Sequence, residues 1–336
     1  MKAMMLTAGL GTRLRPVTDL WAKPAVPFLG IPLMKYPLYL LKELGVTELV
    51  LNSHYKAEQI EALASEIASP DLKVHVSHEP GEPLGSGGGI WKAKPWLESH
   101  GESFFVCNGD EVILPKDEGI FHRFVADHQE RGALATILVM KHPLVGTQFG
   151  GVWCSPSGDV RGFGKNPAAF GEDSVGYHYI GLLLLNSRIF EYLPDGESNI
   201  LYDALAGAIA KKETVRVVVG DFTWFETGNS KDLLEATGEA LHLLDSGKGV
   251  DASALRSLTR EFWPAGTSLE RRGNALVLRA PDAKLADAAR VIGFAVLEAG
   301  SAVGEGAVIE SSILMPGARA EKERRNEIVL PTFARQ

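Results

Sequence analysis

The residues of this chain best suited to chemistry begin within its first two dozen positions. A short apolar run, Lys2 to Thr7, ends in Ala8-Gly9-Leu10-Gly11-Thr12-Arg13-Leu14-Arg15-Pro16, and Lys23-Pro24 follows. A glycine-rich turn after a strand leaves several backbone N–H groups uncommitted, and such a turn cradles phosphate oxygens. Two common phosphate motifs fail here. In G-x-G-x-x-G the third glycine falls on Leu14, and no window fits G-x-x-x-x-G-K-[ST], Gly85 to Lys92 included. The distinguishing feature is basic content: Arg13, Arg15 and then Lys23. Fixed cations beside a glycine nest suit a triphosphate whose charge moves onto a pyrophosphate leaving group.

Such side chains need a scaffold, and the first 140 residues supply one. Apolar runs at Lys2–Thr7, Glu48–Asn52, Lys73–Val76, Phe104–Cys107 and Ala133–Met140 read as strands. Between them Leu33–Leu44, Lys56–Ile67, Ile90–Leu97 and Phe121–Arg131 have helical periods. Strands alternating with helices predict βαβ units and a mainly parallel sheet with right-handed crossovers. Ligands of such sheets bind at the carboxyl ends of the strands. That singles out Ala8–Arg13, Asn52–His54, His78–Gly89 and Asn108–Glu111. From Gly150 to about Gly228 short strands (Gly151–Cys154, Tyr179–Leu185, Val215–Val219) between Gly and Pro turns read as a β-rich lobe covering the sheet. Leu233–Leu244 reads as an amphipathic helix at a domain boundary. Val291, Leu297, Val303, Ile309 and Met315 then recur every six residues, the spacing of a parallel β-helix too short to stand alone. Glu321–Glu327 reads as a solvated charge run.

Composition removes several classes. Of 336 residues, 34 are Lys or Arg and 42 Asp or Glu, a net charge of −8 that argues against a nucleic-acid partner. Two cysteines make neither a disulfide framework nor a four-thiolate zinc site. No apolar run is long enough to span a membrane, and the N-terminus is broken too soon by glycine to be a signal peptide, so a cytoplasmic protein is expected. The nine histidines show no paired metal spacing and receive no role.

The run Gly9-Leu-Gly-Thr-Arg-Leu-Arg-Pro-Val-Thr18 with Lys23-Pro24 resembles the G-x-G-T-R-L-x-P-x-T…K-P signature of the sugar-1-phosphate nucleotidyltransferases. The resemblance implies a Rossmann-like α/β catalytic domain over residues 1–245, and a region 246–336 holding a short left-handed parallel β-helix at about 291–320. The implied reaction joins an NTP to a sugar 1-phosphate with Mg²⁺, giving an NDP-sugar and pyrophosphate. By that resemblance Leu6, Ala8, Gly9, Gly11, Thr12, Arg13 and Lys23 hold the nucleotide, with Arg13 and Lys23 on the triphosphate. Glu82-Pro83-Leu-Gly-Ser-Gly87-Gly88-Gly89 looks like the loop for base and ribose, with Pro83, Gly87 and Gly88 in contact. Asp110 of Asn108-Gly-Asp matches the metal aspartate, and hard carboxylates suit Mg²⁺ beside phosphate oxygens. Catalysis is thereby assigned to Arg13, Lys23 and Asp110.

On the sugar side, Gly150, Lys165 and Gly181 match family positions, with Lys165 on the sugar phosphate. Three departures stand out. Gly164 replaces the usual acidic residue before that lysine, Ile180 replaces a polar residue before Gly181, and Glu226 of Trp224-Phe-Glu-Thr-Gly228 replaces the second metal aspartate. Glutamate is one methylene longer and still offers Mg²⁺ an anionic oxygen. A sugar phosphate is already an anionic nucleophile, so positioning and charge neutralisation carry the reaction and no general base is needed.

A rival from another class is a non-catalytic nucleotide-sugar sensor, which the three departures favour and the retained Arg13, Lys23, Asp110 and Lys165 oppose. A β-helix acyltransferase is excluded on chemistry, since the last histidine, His242, precedes the repeat. The glycine run resembles uridylyltransferases acting on N-acetylmuramate 1-phosphate, enzymes of cell-envelope polysaccharide supply. The hexapeptides resemble mannose-1-phosphate guanylyltransferases. The reading leans slightly to UTP, with a homo-oligomer formed through the C-terminal region.

Overall fold

The computed structural model describes residues 1–99 and 101–332. The chain divides into two compact units: Met1–Leu10 with Pro37–Trp224, and Gly11–Tyr36 with the chain from Phe225 onward.

The first unit is mixed α/β around a mainly parallel sheet. Lys2–Leu6 lies between Glu48–Ser53 and Ser103–Asn108, parallel to both, and Lys73–His78 continues the parallel order beyond Glu48–Ser53. These central strands read as unbroken apolar runs because both faces are covered: Ala3, Met4, Met5 and Phe104 to Cys107 are all buried. The helix predicted at Leu33–Leu44 spans Lys35–Glu43, and Gly45 follows at φ 72°.

Two expectations need correction. Residues 151–220 do not form a lobe over the sheet; their strands extend it. Val175–Asn186 runs antiparallel to Ser103–Asn108, to Ala135–Met140 and to Gly151–Cys154 in turn. Val215–Gly220 lies parallel to Ala135–Met140. The helix expected at Ile90–Leu97 is two helices, Gly85–Lys92 and Lys94–Leu97. Pro95 sits in the first turn of the second, where its missing N–H costs nothing, and it bars one continuous helix.

In the second unit Ser230–Ser246 is capped by Asn229, whose side chain accepts the N–H groups of Lys231 and Asp232. A further helix, Val250–Phe262, follows. Beyond it, Ala275–Arg279, Arg290–Leu297 and Val308–Leu314 lie side by side in parallel. Lys284–Leu285, Ala302–Val303 and Arg319–Ala320 form a second parallel set. Leu285 pairs with Val303 and Val291 with Ile309, eighteen positions on each time, which is three six-residue steps. Leu297, Val303, Ile309 and Met315 are buried, and Val291 is partly so. The charge run at 321–327 is not simply solvated: Arg324–Arg325 pairs with Ile309 and Glu310 as an added edge strand. Positions 333–336 of the predicted C-terminal region lie outside the described residues. Cys107 and Cys154 are both free and buried.

Candidate functional site

In the first unit, the sheet register brings two of the predicted elements together. Leu6 pairs with Asn108 at the carboxyl ends of adjacent parallel strands, and the Gly109 amide donates to the Leu6 carbonyl at 2.9 Å. The turn after the first strand and the turn carrying Asp110 are therefore neighbours. Gly109 has no room for a side chain, since a Cβ there would stand 2.6 Å from Thr7 Cγ2. Gly9, by contrast, is exposed, and a Cβ on it would meet nothing within 4 Å.

Thr7 is pinned from behind. Its amide donates to Asn52 Oδ1 at 2.7 Å and its hydroxyl to the Asn52 carbonyl. Asn52 Nδ2 donates to Glu79 Oε1 at 2.8 Å, and Glu79 Oε2 accepts the Leu84 amide at 3.3 Å. Glu79 is only 1% exposed, so this carboxylate works inside the protein as a hub of amide donors. The chain of bonds links the phosphate-type turn to the glycine-rich segment. Sequence reasoning did not find it.

The glycine-rich segment also has a different local cause from the one expected. Gly85–Lys92 is a helix, in which glycine is disfavoured. Ser198 supplies the reason. Its carbonyl accepts the Gly87 amide at 2.8 Å, its amide donates to Leu84 O at 3.0 Å, and a Cβ on Gly85 would come within 2.6 Å of its oxygen. A Cβ on Gly88 would collide with the Gly196 carbonyl. Gly87 and Gly88 are thus explained by packing against residues 196–198. Pro83 lies just ahead of this helix.

On the other flank, Gly181 (φ 80°) packs against the group beside Asp110: a Cβ there would be 3.0 Å from Asn108 Nδ2. Glu111 accepts Asn108 Nδ2 at 3.1 Å and Trp224 Nε1 at 2.9 Å, and so fixes the Asn108-Gly-Asp110 turn from the side. Glu111 falls within the strand-end segment 108–111 that the sequence singled out, without a role of its own there. Ile180 is fully buried, which accounts for an apolar residue at that position. Gly164 has φ 145°, a backbone that side-chain-bearing residues rarely adopt, while the space above it is open. Conformation, not crowding, explains the lost acidic residue before Lys165. A Cβ on Gly150 would lie 3.9 Å from the Gly164 carbonyl carbon, which places Gly150 close to the residue preceding Lys165. Rings of His142, Phe149, His178 and Trp224 cluster here, His178 and Trp224 with centroids 4.7 Å apart. Burial and the neighbouring His142 push the His178 imidazole down to about 4, so it is neutral at physiological pH.

In the second unit, the basic turn is a series of short 3₁₀ helices whose apolar residues are anchors. Leu14, Val17, Ala22, Pro24 and Val26 are buried while Arg13 and Arg15 are exposed. Gly11 takes φ 61°, and a Cβ on it would meet Thr18 Cγ2 at 2.9 Å and Lys23 Cβ at 3.1 Å. Thr18 Oγ1 donates to the Gly11 carbonyl at 2.9 Å. Gly11, Thr18 and Lys23 thus close into one knot. Glu226 and Arg13 meet at Gly228: Glu226 Oε1 accepts its amide at 2.7 Å, and Arg13 Nη1 would be 3.3 Å from a Cβ placed there. Arg15 instead pairs with Asp19 at 3.3 Å, an exposed pair of small energetic weight.

Each unit therefore gathers its own set. Leu6, Ala8, Gly9, Asp110, Gly181, Gly150, Lys165 and the Pro83–Gly88 segment belong to the first, and Gly11, Thr12, Arg13, Lys23 and Glu226 to the second. Among the described residues no group of three or more His, Cys, Asp or Glu could by itself hold a metal ion. Nor is any described helix long and apolar enough to cross a membrane.

Comparison with known proteins bears on the family and the fold. The Nucleotidyl transferase family model matches residues 2–242. A UTP–glucose-1-phosphate uridylyltransferase of Synechocystis sp. is 26% identical over 95% of this chain and 85% of its own length. A probable mannose-1-phosphate guanylyltransferase 3 of rice is 28% identical over 96% of this chain and 83% of its own. Among solved structures, a UDP-glucose pyrophosphorylase from Acinetobacter baumanii superposes with a TM-score of 0.60 at 22% identity, covering 77% of this chain and 98% of that one. That likeness shows the fold.

Proposed function

Since the chain belongs to the nucleotidyl transferase family, we propose that it transfers a nucleotidyl group from an NTP to a sugar 1-phosphate, releasing pyrophosphate. The observation that supports this most is the knot of Gly11, Thr18 and Lys23, with Arg13 against Gly228. It fixes the backbone of the turn that carries Arg13 and Lys23 around a left-handed glycine, and two cations on one turn suit a triphosphate that gathers charge on its leaving group. In this reading Arg13 and Lys23 neutralise the triphosphate, and Leu6, Ala8, Gly9, Gly11 and Thr12 line its path. Pro83, Gly87 and Gly88 face base and ribose. Lys165 holds the sugar phosphate, with Gly150 and Gly181 also on the sugar side.

Asp110 and Glu226 are hard oxygen donors of the kind Mg²⁺ takes, one or two carboxylates being completed by substrate phosphates. By the family resemblance each is a candidate ligand in its own unit, and the ion would supply charge neutralisation at the phosphates. The rest of the work is positioning: the Asn52–Glu79 relay holds the Thr7 turn, and Glu111 holds the Asp110 turn.

By sequence, residues 1–245 carry the transfer chemistry, and we read residues about 291–320 within 246–336 as a short left-handed β-helix. The six-residue period and the eighteen-residue register support that reading. We further assign the protein to the cytoplasm and to cell-envelope polysaccharide supply, as a homo-oligomer joined through its C-terminal region. The base leans to UTP, with GTP and mannose 1-phosphate the alternative. Pyrophosphate release from each of four NTPs with a panel of sugar 1-phosphates and Mg²⁺ tests the proposal. One productive pair supports it; silence across the panel with retained nucleotide binding would replace it with the sensor reading.

A further inference from the structure

The second unit contains a cavity of about 260 Å³ whose walls include Leu278, Val296 and Leu297 together with Gly30, Thr267 and Glu298. A single water's share of liquid volume is only ~30 Å³, so the space is sized for an organic molecule. Its polar groups are few and poorly satisfied. Glu298 is 4% exposed, and its Oε1 accepts one backbone amide, that of Gly30, at 3.0 Å. Burial pushes its carboxyl up to about 7 against the opposing pull of that N–H. The Thr267 hydroxyl is shut off from solvent and has no hydrogen-bond partner among the described residues. A desolvated carboxyl with one backbone donor is costly in an apolar chamber, and a ligand head that pairs with it lowers the cost.

We propose that this cavity binds a small organic molecule with an apolar body and a cationic, hydrogen-bond-donating head, the head meeting Glu298. The sign of the charge follows from the walls. Asp282 and Glu298 line the cavity and no Lys, Arg or His does. An anionic ligand would face two carboxylates with nothing to offset them, whereas an ammonium group gains a desolvated carboxylate as partner.

The position gives such a ligand a route to the transfer chemistry. Gly30 is the turn of the hairpin formed by Pro27–Phe28 and Ile31–Pro32, a few residues after Lys23. Trp263 Nε1 holds the same turn by donating to the Leu29 carbonyl at 2.7 Å. A molecule seated against Glu298 thus presses on the stretch of chain that carries Arg13 and Lys23. This last point rests on the nucleotidyl-transfer reading; the binding itself does not.

The test uses the full chain without substrates. Cyclohexylmethylamine, cyclohexylmethanol and cyclohexanecarboxylate share one apolar body and differ in the head. Calorimetric titration should show saturable binding of the amine, about tenfold tighter than the alcohol, and no binding of the carboxylate. Ala280→Leu, which fills the chamber from a half-buried wall position, should abolish amine binding. Glu298→Gln should erase the preference for amine over alcohol. Thermal unfolding establishes that each variant folds, and Glu298→Met, with the preference for amine likewise lost, replaces Glu298→Gln if that one does not. Equal binding of amine and carboxylate, or amine binding untouched in the folded Ala280→Leu variant, would overturn the proposal. Neither result bears on nucleotidyl transfer, which the pyrophosphate assay reads separately.

Discussion

Glu226 bends back on its own chain: its Oε1 accepts the amide of Gly228 at 2.7 Å. The contact fixes the longer glutamate side chain in place, and glutamine preserves it without the charge. Glu226→Gln should therefore fold normally yet lose activity by about 100-fold, the scale of a lost metal-site carboxylate. Glu226→Asp keeps the charge and can still accept an amide two residues on, but reaches one methylene less, and should retain an intermediate rate. Pyrophosphate release across a Mg²⁺ titration separates the three forms, and an unimpaired Gln variant removes Glu226 from the metal.

Gly9 and Gly88 should respond to alanine in opposite ways. Above Gly9 there is open space, so Gly9→Ala should shift stability by less than about 0.5 kcal/mol. It should still raise the KM for NTP roughly tenfold if phosphates approach that backbone. Gly88→Ala drives a methyl into the Gly196 carbonyl and should cost about 1–3 kcal/mol despite alanine's better helix propensity. Denaturant unfolding and nucleotide titration of both variants check the pair.

Asp110→Asn is isosteric, and Glu111 still accepts Asn108 Nδ2 in the same turn, so the melting temperature should stay near that of the parent. Turnover should fall by at least about tenfold. A variant closer to the parent rate would show that Asp110 is no metal ligand.

Lys165→Ala should raise the KM for sugar phosphate by about ten- to a hundredfold and that for NTP hardly at all, as a point charge on one phosphate predicts. Equal effects on both substrates would place Lys165 elsewhere.

Glu298 predicts a pH dependence of stability. Its carboxyl titrates at about 7 in the folded chain against an ordinary 4.5. Between those values the native state holds the proton more firmly than the unfolded one. Stability contributed by this group is fully present below pH 4.5, declines as pH rises toward 7, and is gone above it. The total is on the order of a few kcal/mol. Melting temperatures at pH 5 and 8 should differ less in Glu298→Gln than in the parent; an equal difference would mean other groups carry the slope.

The legible part of the site was local. Gly9 to Arg15 and Lys23 announce phosphate chemistry within a short window, and the six-residue spacing from Val291 to Met315 announces the parallel register. Glu79 and Glu111 fell inside strand-end segments that were singled out, but no feature of the sequence pointed either to a partner. Each acts through partners far along the chain, Glu111 with Trp224 across 113 positions, and a lone glutamate between apolar runs looks like surface. The glycines at 85–88 were visible as a pattern, but their cause, the backbone at 196–198, was not. Gly164 looked like a missing carboxylate because one residue letter does not reveal a φ of 145°.

The second unit is assembled from two distant stretches of sequence, residues 11–36 and the chain from Phe225 onward. During synthesis the first stretch leaves the ribosome long before its partners exist. At ~5–20 residues per second the wait is roughly ten to forty seconds. Throughout it Leu14, Val17, Val26, Phe28 and Ile31, all buried in the finished protein, have no completed unit to enter. The stretch bearing Arg13 and Lys23 is therefore made early and finished late. A nascent chain halted before residue 225 would display an apolar segment that chaperones can bind, and would lack an ordered seat for its two cations.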